Sequence, residues 1–159
     1  MKGLPIGALF FRRPMKVSIG CDHAAFEEKE QLLNWLKESY DVSDCGTYSA
    51  DRCDYPDFAK AVAKDVVSNS QLGILICGSG IGISMAANRY AGIRAALCRS
   101  TNEAMLSKQH NNANVLCLGA RINTLEEIKQ IVSAWFTAQF EEGRHTGRVA
   151  KFNDLGEKL

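Results

Sequence analysis

A cysteine directly before a glycine-rich loop is the first candidate for chemistry in this 159-residue chain. Cys77 ends an apolar run, and the loop Gly78-Ser79-Gly80-Ile81-Gly82 follows it at once. Glycines let the backbone turn sharply and point several N–H groups at one spot, and a helix predicted to begin near Ile83 adds positive potential there. The loop therefore suits an anion, although a tight strand-to-helix turn would have the same sequence. It has neither the GxGxxG spacing of a dinucleotide site nor the Gly-Lys-Ser/Thr ending of a P-loop.

The thiol of Cys77 has two possible roles. Free cysteines are among the most buried residues, so a cysteine at the end of a strand is ordinarily part of the core. Beside a helix N-terminus, however, the thiolate form is favoured, and a thiolate could accept a proton at neutral pH. Three other cysteines lack such a loop and are predicted to be core residues: Cys21, Cys98 and Cys117.

Two short polar segments could also contribute to a site. Asp22 and His23 directly follow the first predicted strand, where a binding site and a surface turn are both open interpretations. The segment His110-Asn111-Asn112 ends a predicted helix before another strand. An asparagine there could simply cap the helix C-terminus.

A pair of arginines near the C-terminus is a further candidate. Arg144 and Arg148 are four residues apart, so they would share one face if the segment is helical. Two forked guanidinium groups on one face could hold a phosphate. A solvated, charged helix face is the alternative.

Composition and charge narrow the range of partners. The chain has 19 basic and 18 acidic residues, a net charge of +1, and 46% hydrophobic and 23% charged residues, as one globular domain would have. Without a broad positive field, neither nucleic acid nor a membrane surface is an expected partner. The six cysteines form no CxxC pair, so we expect neither a zinc site nor a disulfide framework, and a reduced, cytoplasmic location.

Residues 1–14 are predicted to be a tail that precedes a single domain of residues 15–159. The apolar run Leu4–Phe11 follows Lys2, as in a secretory signal, but an Arg-Arg-Pro segment follows without a small-residue cleavage site. Met15 is an alternative start, and an organellar presequence stays open because the segment is basic and free of acids. No apolar run approaches the roughly 20 residues that span a bilayer.

After Met15, short β-rich runs alternate with stretches of helical periodicity, which is typical of βαβ units. Strands are predicted at Val17–Gly20, Tyr40–Asp44, Leu72–Cys77, Ala95–Cys98 and Val115–Gly119, and the longer helices at Phe26–Tyr40, from Pro56, at Thr101–Gln109 and from Thr124 to about Phe140. The continuous apolar run Leu72–Cys77 indicates a central strand covered on both faces. The pattern predicts a single-domain, doubly wound, Rossmann-like α/β sandwich with a mostly parallel five-stranded sheet, whose ligands bind beyond the carboxyl ends of the strands.

The order and spacing of several motifs resemble one family over nearly all of residues 15–150. The motifs are Gly20-Cys21-Asp22-His23, Asp54-Tyr55-Pro56, ILICGSGIGIS ending at Ser84, Ala87-Asn88, Gly92-Ile93-Arg94-Ala95, QHNNANV ending at Val115, and Arg144-His145. Together they are similar to the type B ribose-5-phosphate isomerases and their galactose-6-phosphate isomerase relatives. The resemblance implies interconversion of D-ribose 5-phosphate and D-ribulose 5-phosphate through an enediolate.

The resemblance also implies the catalytic roles. In that family the cysteine before the glycine loop moves a proton between C1 and C2 of an open-chain sugar phosphate, which makes Cys77 the base. The backbone of the loop 78–82 and the Ser79 hydroxyl would hold the enediolate oxygen. His110 would open the furanose ring by acid catalysis.

The remaining candidates would bind the substrate. Asp22 and Asn111 are expected on the sugar oxygens, and the phosphate is expected on His23, Arg121, Arg144 and Arg148. No metal or organic cofactor is required. Because galactose-6-phosphate isomerases divide their function between two different chains, the presence of both Cys77 and His110 favours a self-sufficient homodimer with sites near the subunit interface, and further association into a tetramer stays open.

Two departures from the family pattern bear on the mechanism. One branch uses a glutamate at the position of Ile83 as its base, and the apolar Ile83 cannot do this. Ser79 stands where the family usually has threonine, which keeps the hydroxyl. Two alternatives stay open: a six-carbon substrate such as allose or galactose 6-phosphate, because one extra hydroxymethylene changes pocket energetics by only ~1–3 kcal/mol, and a non-catalytic sugar-phosphate-binding module.

Overall fold

Five parallel strands form the centre of the protein. A computed structural model describes residues 13–159 of the chain. The strands are β1 (Lys16–Cys21), β2 (Asp41–Asp44), β3 (Leu72–Cys77), β4 (Ala95–Leu97) and β5 (Val115–Gly119). Their order in the sheet is β2-β1-β3-β5-β4, and every pair is parallel. The predicted doubly wound α/β class is therefore confirmed, with a sheet that is parallel throughout. Most of the predicted tail, residues 1–12, lies outside the described part of the chain.

Six α-helices are described between and after these strands. They are α1 (Phe26–Leu36), α2 (Tyr55–Asp65), α3 (Ile81–Ala87), α4 (Thr101–Asn111), α5 (Leu125–Thr137) and α6 (Thr146–Ala150). A π-helical turn, Val66–Ser70, continues α2, and Thr124 begins α5 with a capping box that it forms with Glu127. No helix within residues 13–159 is long and apolar enough to cross a membrane.

Two apolar clusters cover the two faces of the sheet. One contains residues of α1, α4 and α5 and includes the fully buried Trp135, and the other contains residues of α2 and α3. Helix α2 comes close to the sheet because β3 has a glycine beneath it. A Cβ at Gly73 would lie only 2.7 Å from a methyl carbon of Val62, so a side chain there would push the helix outward.

Three predicted helix boundaries were wrong. Helix α3 begins at Ile81 rather than near Ile83, because Gly80 takes a left-handed conformation (φ 77°) that ends the loop directly before it. Helix α1 ends at Leu36 rather than at Tyr40, and α5 ends at Thr137 rather than near Phe140 because Ala138 is extended.

Candidate functional site

A cleft of about 660 Å³ opens at the carboxyl edge of the sheet, where β1 and β3 end. Its walls include eight of the residues that the sequence predicted for the site. They are Asp22, His23, Cys77, Gly78, Ser79, Ile81, Gly82 and Arg121. Gly80 is buried within the same loop. The cleft thus lies where parallel sheets of this class bind ligands.

The sulfur of Cys77 lies at the base of the glycine loop. The residue is only 5% exposed, yet it lines the cleft, and its Sγ accepts the backbone N–H of Gly80 at 3.1 Å. The sulfur is thus directed at the loop amides rather than sealed in apolar packing.

Backbone hydrogen bonds hold the glycine loop against the neighbouring strand. The N–H of Ala120 donates to the carbonyl of Cys77 at 2.9 Å, and the N–H of Arg121 donates to that of Gly78 at 3.0 Å. The Ser79 hydroxyl accepts the N–H of Ile81 at 3.2 Å. The first turn of a helix has no intrahelical acceptor for its N–H groups, so α3 begins with donors beside the sulfur.

The two polar residues after β1 are held by backbone atoms. The Asp22 carboxylate accepts the N–H of Ala24 at 3.0 Å and is 6% exposed. Nδ1 of His23 lies 3.2 Å from the N atom and 3.1 Å from the O atom of Cys53. Depending on its tautomer, a neutral ring either accepts that N–H or donates to that carbonyl through Nδ1, and a protonated ring donates to the carbonyl. These contacts hold the His23 ring against the backbone of Cys53 at the wall of the cleft.

Tyr55 is a wall residue of the cleft to which the sequence analysis gave no role. Its ring packs directly on the first turn of α3, because a Cβ at Gly82 would lie 2.6 Å from the ring carbon that bears the hydroxyl. The Asp54-Tyr55-Pro56 motif was visible in the sequence. Its position at the start of a helix, and thus at the carboxyl edge, was the signal that could have placed it.

Besides Gly80, four predicted site residues do not line this cleft. They are His110, Asn111, Arg144 and Arg148. Helix α4 starts at the carboxyl edge and runs back along the sheet, so His110 lies roughly 14 Å along the helix from its start. The N–H of Glu141 donates to the carbonyl of Gln109 at 3.0 Å, which places the segment after α5 at the same opposite edge.

Two of these distant residues, His110 and Arg144, form a second polar group with two residues that were not predicted. The rings of His110 and His145 are stacked with centroids 4.5 Å apart, and Nε2 of His110 lies 3.6 Å from a carboxylate oxygen of Glu141. Arg144 Nε donates to Nε2 of His145 at 3.4 Å. Burial, together with His110 and the two nearby arginines, lowers the pKa of His145 despite the opposing charge of Glu141.

A single chain thus presents two groups of candidate residues at opposite edges of one sheet. One group combines a thiol, amide donors and a fixed imidazole, and the other combines imidazoles and guanidinium groups. Thiol, amide and imidazole groups of this kind suit proton transfer and the binding of a small anionic substrate.

Comparison with known proteins agrees with a site for proton transfer on a small anionic substrate. The model of the family described as Ribose/Galactose Isomerase matches residues 17–152, and the chain belongs to this family. It is 49% identical over 145 residues to ribose-5-phosphate isomerase B of Escherichia coli (strain K12), covering 90% of this chain and 97% of that protein. The resemblance predicted from the motifs is therefore confirmed.

Solved structures give the same result for the fold. The ribose-5-phosphate isomerase B of Clostridium thermocellum matches with a TM-score of 0.86 and 44% identity, covering 88% of this chain and 96% of that chain. The enzyme of Thermotoga maritima matches with a TM-score of 0.85 and 46% identity, covering 89% of this chain and 99% of that chain.

Proposed function

We propose that the protein is an aldose-ketose isomerase that interconverts D-ribose 5-phosphate and D-ribulose 5-phosphate. Its membership of the family and its relatives named ribose-5-phosphate isomerase B support this activity. The observation that carries the proposal in the structure is the Cys77 sulfur, which lies in a cleft beside the Gly80 amide. That arrangement supports a proton acceptor next to donors for a developing negative charge.

The proposed reaction moves one proton between two carbons. The Cys77 thiolate removes the proton from C2 of the open-chain aldose, and the electron pair of that C–H bond forms the C1–C2 double bond of an enediolate. Amide groups of the loop and the Ser79 hydroxyl stabilise the oxygen that gains charge. The hydroxyl proton on O2 moves to O1, and the Cys77 thiol returns its proton to C1 as the C2=O bond forms, which gives the ketose. No electrons leave the substrate, so no cofactor is required.

The other candidate residues would bind and open the sugar. His110 would protonate the ring oxygen of the furanose, while Asp22 and Asn111 would bind its hydroxyls. The positive and donor groups His23, Arg121, Arg144 and Arg148 would hold the phosphate. His23 suits that role because it lines the cleft and its ring is held against the backbone of Cys53.

The two halves of the site support a homodimer with shared active sites. His110 and Cys77 belong to opposite edges of one sheet, so one chain cannot bring both to a five-carbon sugar. A second copy that supplies its His110 side to the Cys77 cleft would complete the site, and dimers could pair into a tetramer. Such an enzyme would serve the non-oxidative pentose phosphate pathway in the cytoplasm.

An assay of the purified protein on ribose 5-phosphate in the presence of a chelator tests the proposal. We expect turnover to persist with the chelator and to fall by at least ~10³-fold in Cys77→Ala, because the proton acceptor is lost. Ligand binding should remain in that variant, measured by calorimetry with ribose 5-phosphate. Full turnover by Cys77→Ala would contradict the mechanism.

Substrate choice and the non-catalytic alternative are tested in the same assay. The rates on ribose 5-phosphate, allose 6-phosphate and galactose 6-phosphate are compared as kcat/KM. We expect the five-carbon substrate to have the highest value. A higher value for a six-carbon phosphate would refute the substrate assignment, and binding without turnover of any of the three would favour a binding module.

A further inference from the structure

A compact group of metal-ligand side chains lies at the edge opposite the Cys77 cleft. This imidazole–carboxylate cluster consists of His110 at the end of α4 and Glu141 and His145 beyond α5. A carboxylate oxygen of Glu141 lies 3.6 Å from Nε2 of His110 and 3.8 Å from Nε2 of His145. One donor atom from each residue lies within 4.8 Å of the other two.

These distances are close to those of a bound transition-metal ion. Zinc binds imidazole nitrogen and carboxylate oxygen at about 2.0–2.2 Å, so donors in a tetrahedral site are roughly 3.3 Å apart. The two oxygen–nitrogen separations, 3.6 and 3.8 Å, therefore have to shorten by only about 0.3 and about 0.5 Å. The stacked rings of His110 and His145 have to tilt so that their lone pairs converge, and a water molecule would be the fourth ligand.

The surroundings both favour and oppose a cation. The cluster lies at the C-terminus of α4, where the helix dipole is negative, and Glu141 adds a charge. Nε2 of both imidazoles faces the Glu141 carboxylate, and a metal binds the neutral imidazole. Arg144 and Arg148 oppose the ion, and Arg144 has to give up its contact with His145. Both arginines are exposed and can turn outward.

We propose that the imidazole–carboxylate cluster is a Zn²⁺-binding site through which the ion reversibly inhibits the enzyme. The two-histidine, one-carboxylate donor set suits zinc among the biological divalent ions, whereas Mg²⁺ and Ca²⁺ prefer oxygen ligands. Bound Zn²⁺ occupies Nε2 of His110, so this histidine cannot protonate a sugar oxygen. The inhibitory part rests on the proposed function, and the binding part does not.

Metal binding is tested without substrate. Titration of the protein with Co²⁺ as a spectroscopic substitute should give visible bands without the intense thiolate charge-transfer absorption, and Zn²⁺ should displace it. We expect Glu141→Gln and His145→Asn to weaken Zn²⁺ binding by about tenfold or more. Glu142→Gln is the matched control, because Glu142 is adjacent and exposed but outside the cluster.

The cysteines are the rival ligands, and a second variant separates them. Cys77→Ala should bind Co²⁺ with the same spectrum and affinity as the wild type. A thiolate charge-transfer band, or loss of binding in Cys77→Ala with retention in Glu141→Gln, would overturn the site. Equal affinity of Glu141→Gln, His145→Asn and Glu142→Gln would overturn it as well.

Inhibition is then measured with ribose 5-phosphate. Zn²⁺ should inhibit the wild type, a chelator should restore its full rate, and Glu141→Gln should need at least ~10-fold more Zn²⁺ for the same inhibition. Binding at the cluster without inhibition would overturn the regulatory part. Absence of any isomerase activity would refute the proposed function while the Co²⁺ spectra still decide the site.

Discussion

At the scale of single residues, hydrogen bonding and burial separate the cysteines of this chain. Burial raises the pKa of Cys21 to about 12 and that of Cys98 to about 11, so both thiols stay protonated at neutral pH. Cys77 differs in its contacts, because its sulfur accepts a backbone N–H and borders an open cleft. The glycine loop thus gives one cysteine a donor and an approach for a substrate.

Lys29 shows how a buried charge supports the loop beside the site. Its side chain is fully buried, and Nζ donates to both carboxylate oxygens of Asp44 at 2.9 and 3.0 Å. Burial alone would lower the pKa of Lys29, but hydrogen bonds to Glu30 and Asp44 outweigh it and raise the pKa. Asp44 in turn accepts the N–H of Gly46, whose carbonyl accepts the N–H of Cys21 next to Asp22.

We expect Lys29→Met to lower the free energy of unfolding by roughly 2–4 kcal/mol, because Asp44 loses its partner while it is largely enclosed. Urea denaturation measures the change. Lys29→Met/Asp44→Asn is the matched variant and should recover part of the loss, since the unpaired charge is gone. A change below about 0.5 kcal/mol in the single variant would show that the ion pair contributes nothing net.

At the scale of elements, Asp65 joins the end of α2 to the neighbouring strand β1. Its carboxylate accepts hydrogen bonds from Ser70 at 2.7 Å, from Asn69 at 2.9 Å and from the hydroxyl of Ser18 in β1. Burial raises the pKa of Asp65, but these hydrogen bonds outweigh it and the pKa is lowered. The ionised carboxylate is therefore the form that holds the two elements together.

The stability contributed by Asp65 should depend on pH in a defined direction. A lowered folded-state pKa gives stabilisation that is complete above the unfolded pKa of about 3.9 and is lost as the pH falls through the folded value. The difference in unfolding free energy between wild type and Asp65→Asn should therefore be largest at pH 5–7 and shrink towards pH 3. Urea denaturation at each pH measures it. Ser70→Ala raises the folded-state pKa towards the unfolded value, so its acid-induced loss of stability should be smaller and complete at a higher pH than in the wild type. A pH-independent difference for Asp65→Asn would refute the account.

Helix and strand boundaries show what local sequence can specify. The predicted strands Leu72–Cys77 and Val115–Gly119 match the structure because unbroken apolar runs are confined to the buried centre of the sheet. The first helix was predicted to extend to Tyr40, because this residue is apolar and falls on the apolar face of the helical pattern. It instead lies beyond the helix and stacks on Phe136 at 4.6 Å, a long-range contact that helical periodicity cannot distinguish from helix packing.

At the scale of the whole molecule, the site is local in one half and non-local in the other. The Cys77 loop is contiguous in sequence, so its position at the carboxyl edge of the sheet could be predicted from residue types and spacing. The grouping of His110 with Glu141 and His145 depends on how the segment after α5 returns to the end of α4, and no local pattern encodes that return. These residues lie far from Cys77 because α4 runs from the carboxyl edge back to the opposite edge of the sheet. The predicted order of strands and helices already implied this direction.

Mixed dimers test whether two chains complete one site. Cys77→Ala and His110→Ala chains are co-expressed with different affinity tags, and the heterodimer is purified. If each site combines Cys77 of one chain with His110 of the other, this dimer retains one intact site and about half of the wild-type activity, although both parents are inactive. The control dimer pairs a wild-type chain with a Cys77→Ala/His110→Ala chain, so both substitutions are in one subunit. It should be inactive, because both shared sites are broken. The opposite result, an inactive first dimer and a half-active second one, would place a complete site within each chain.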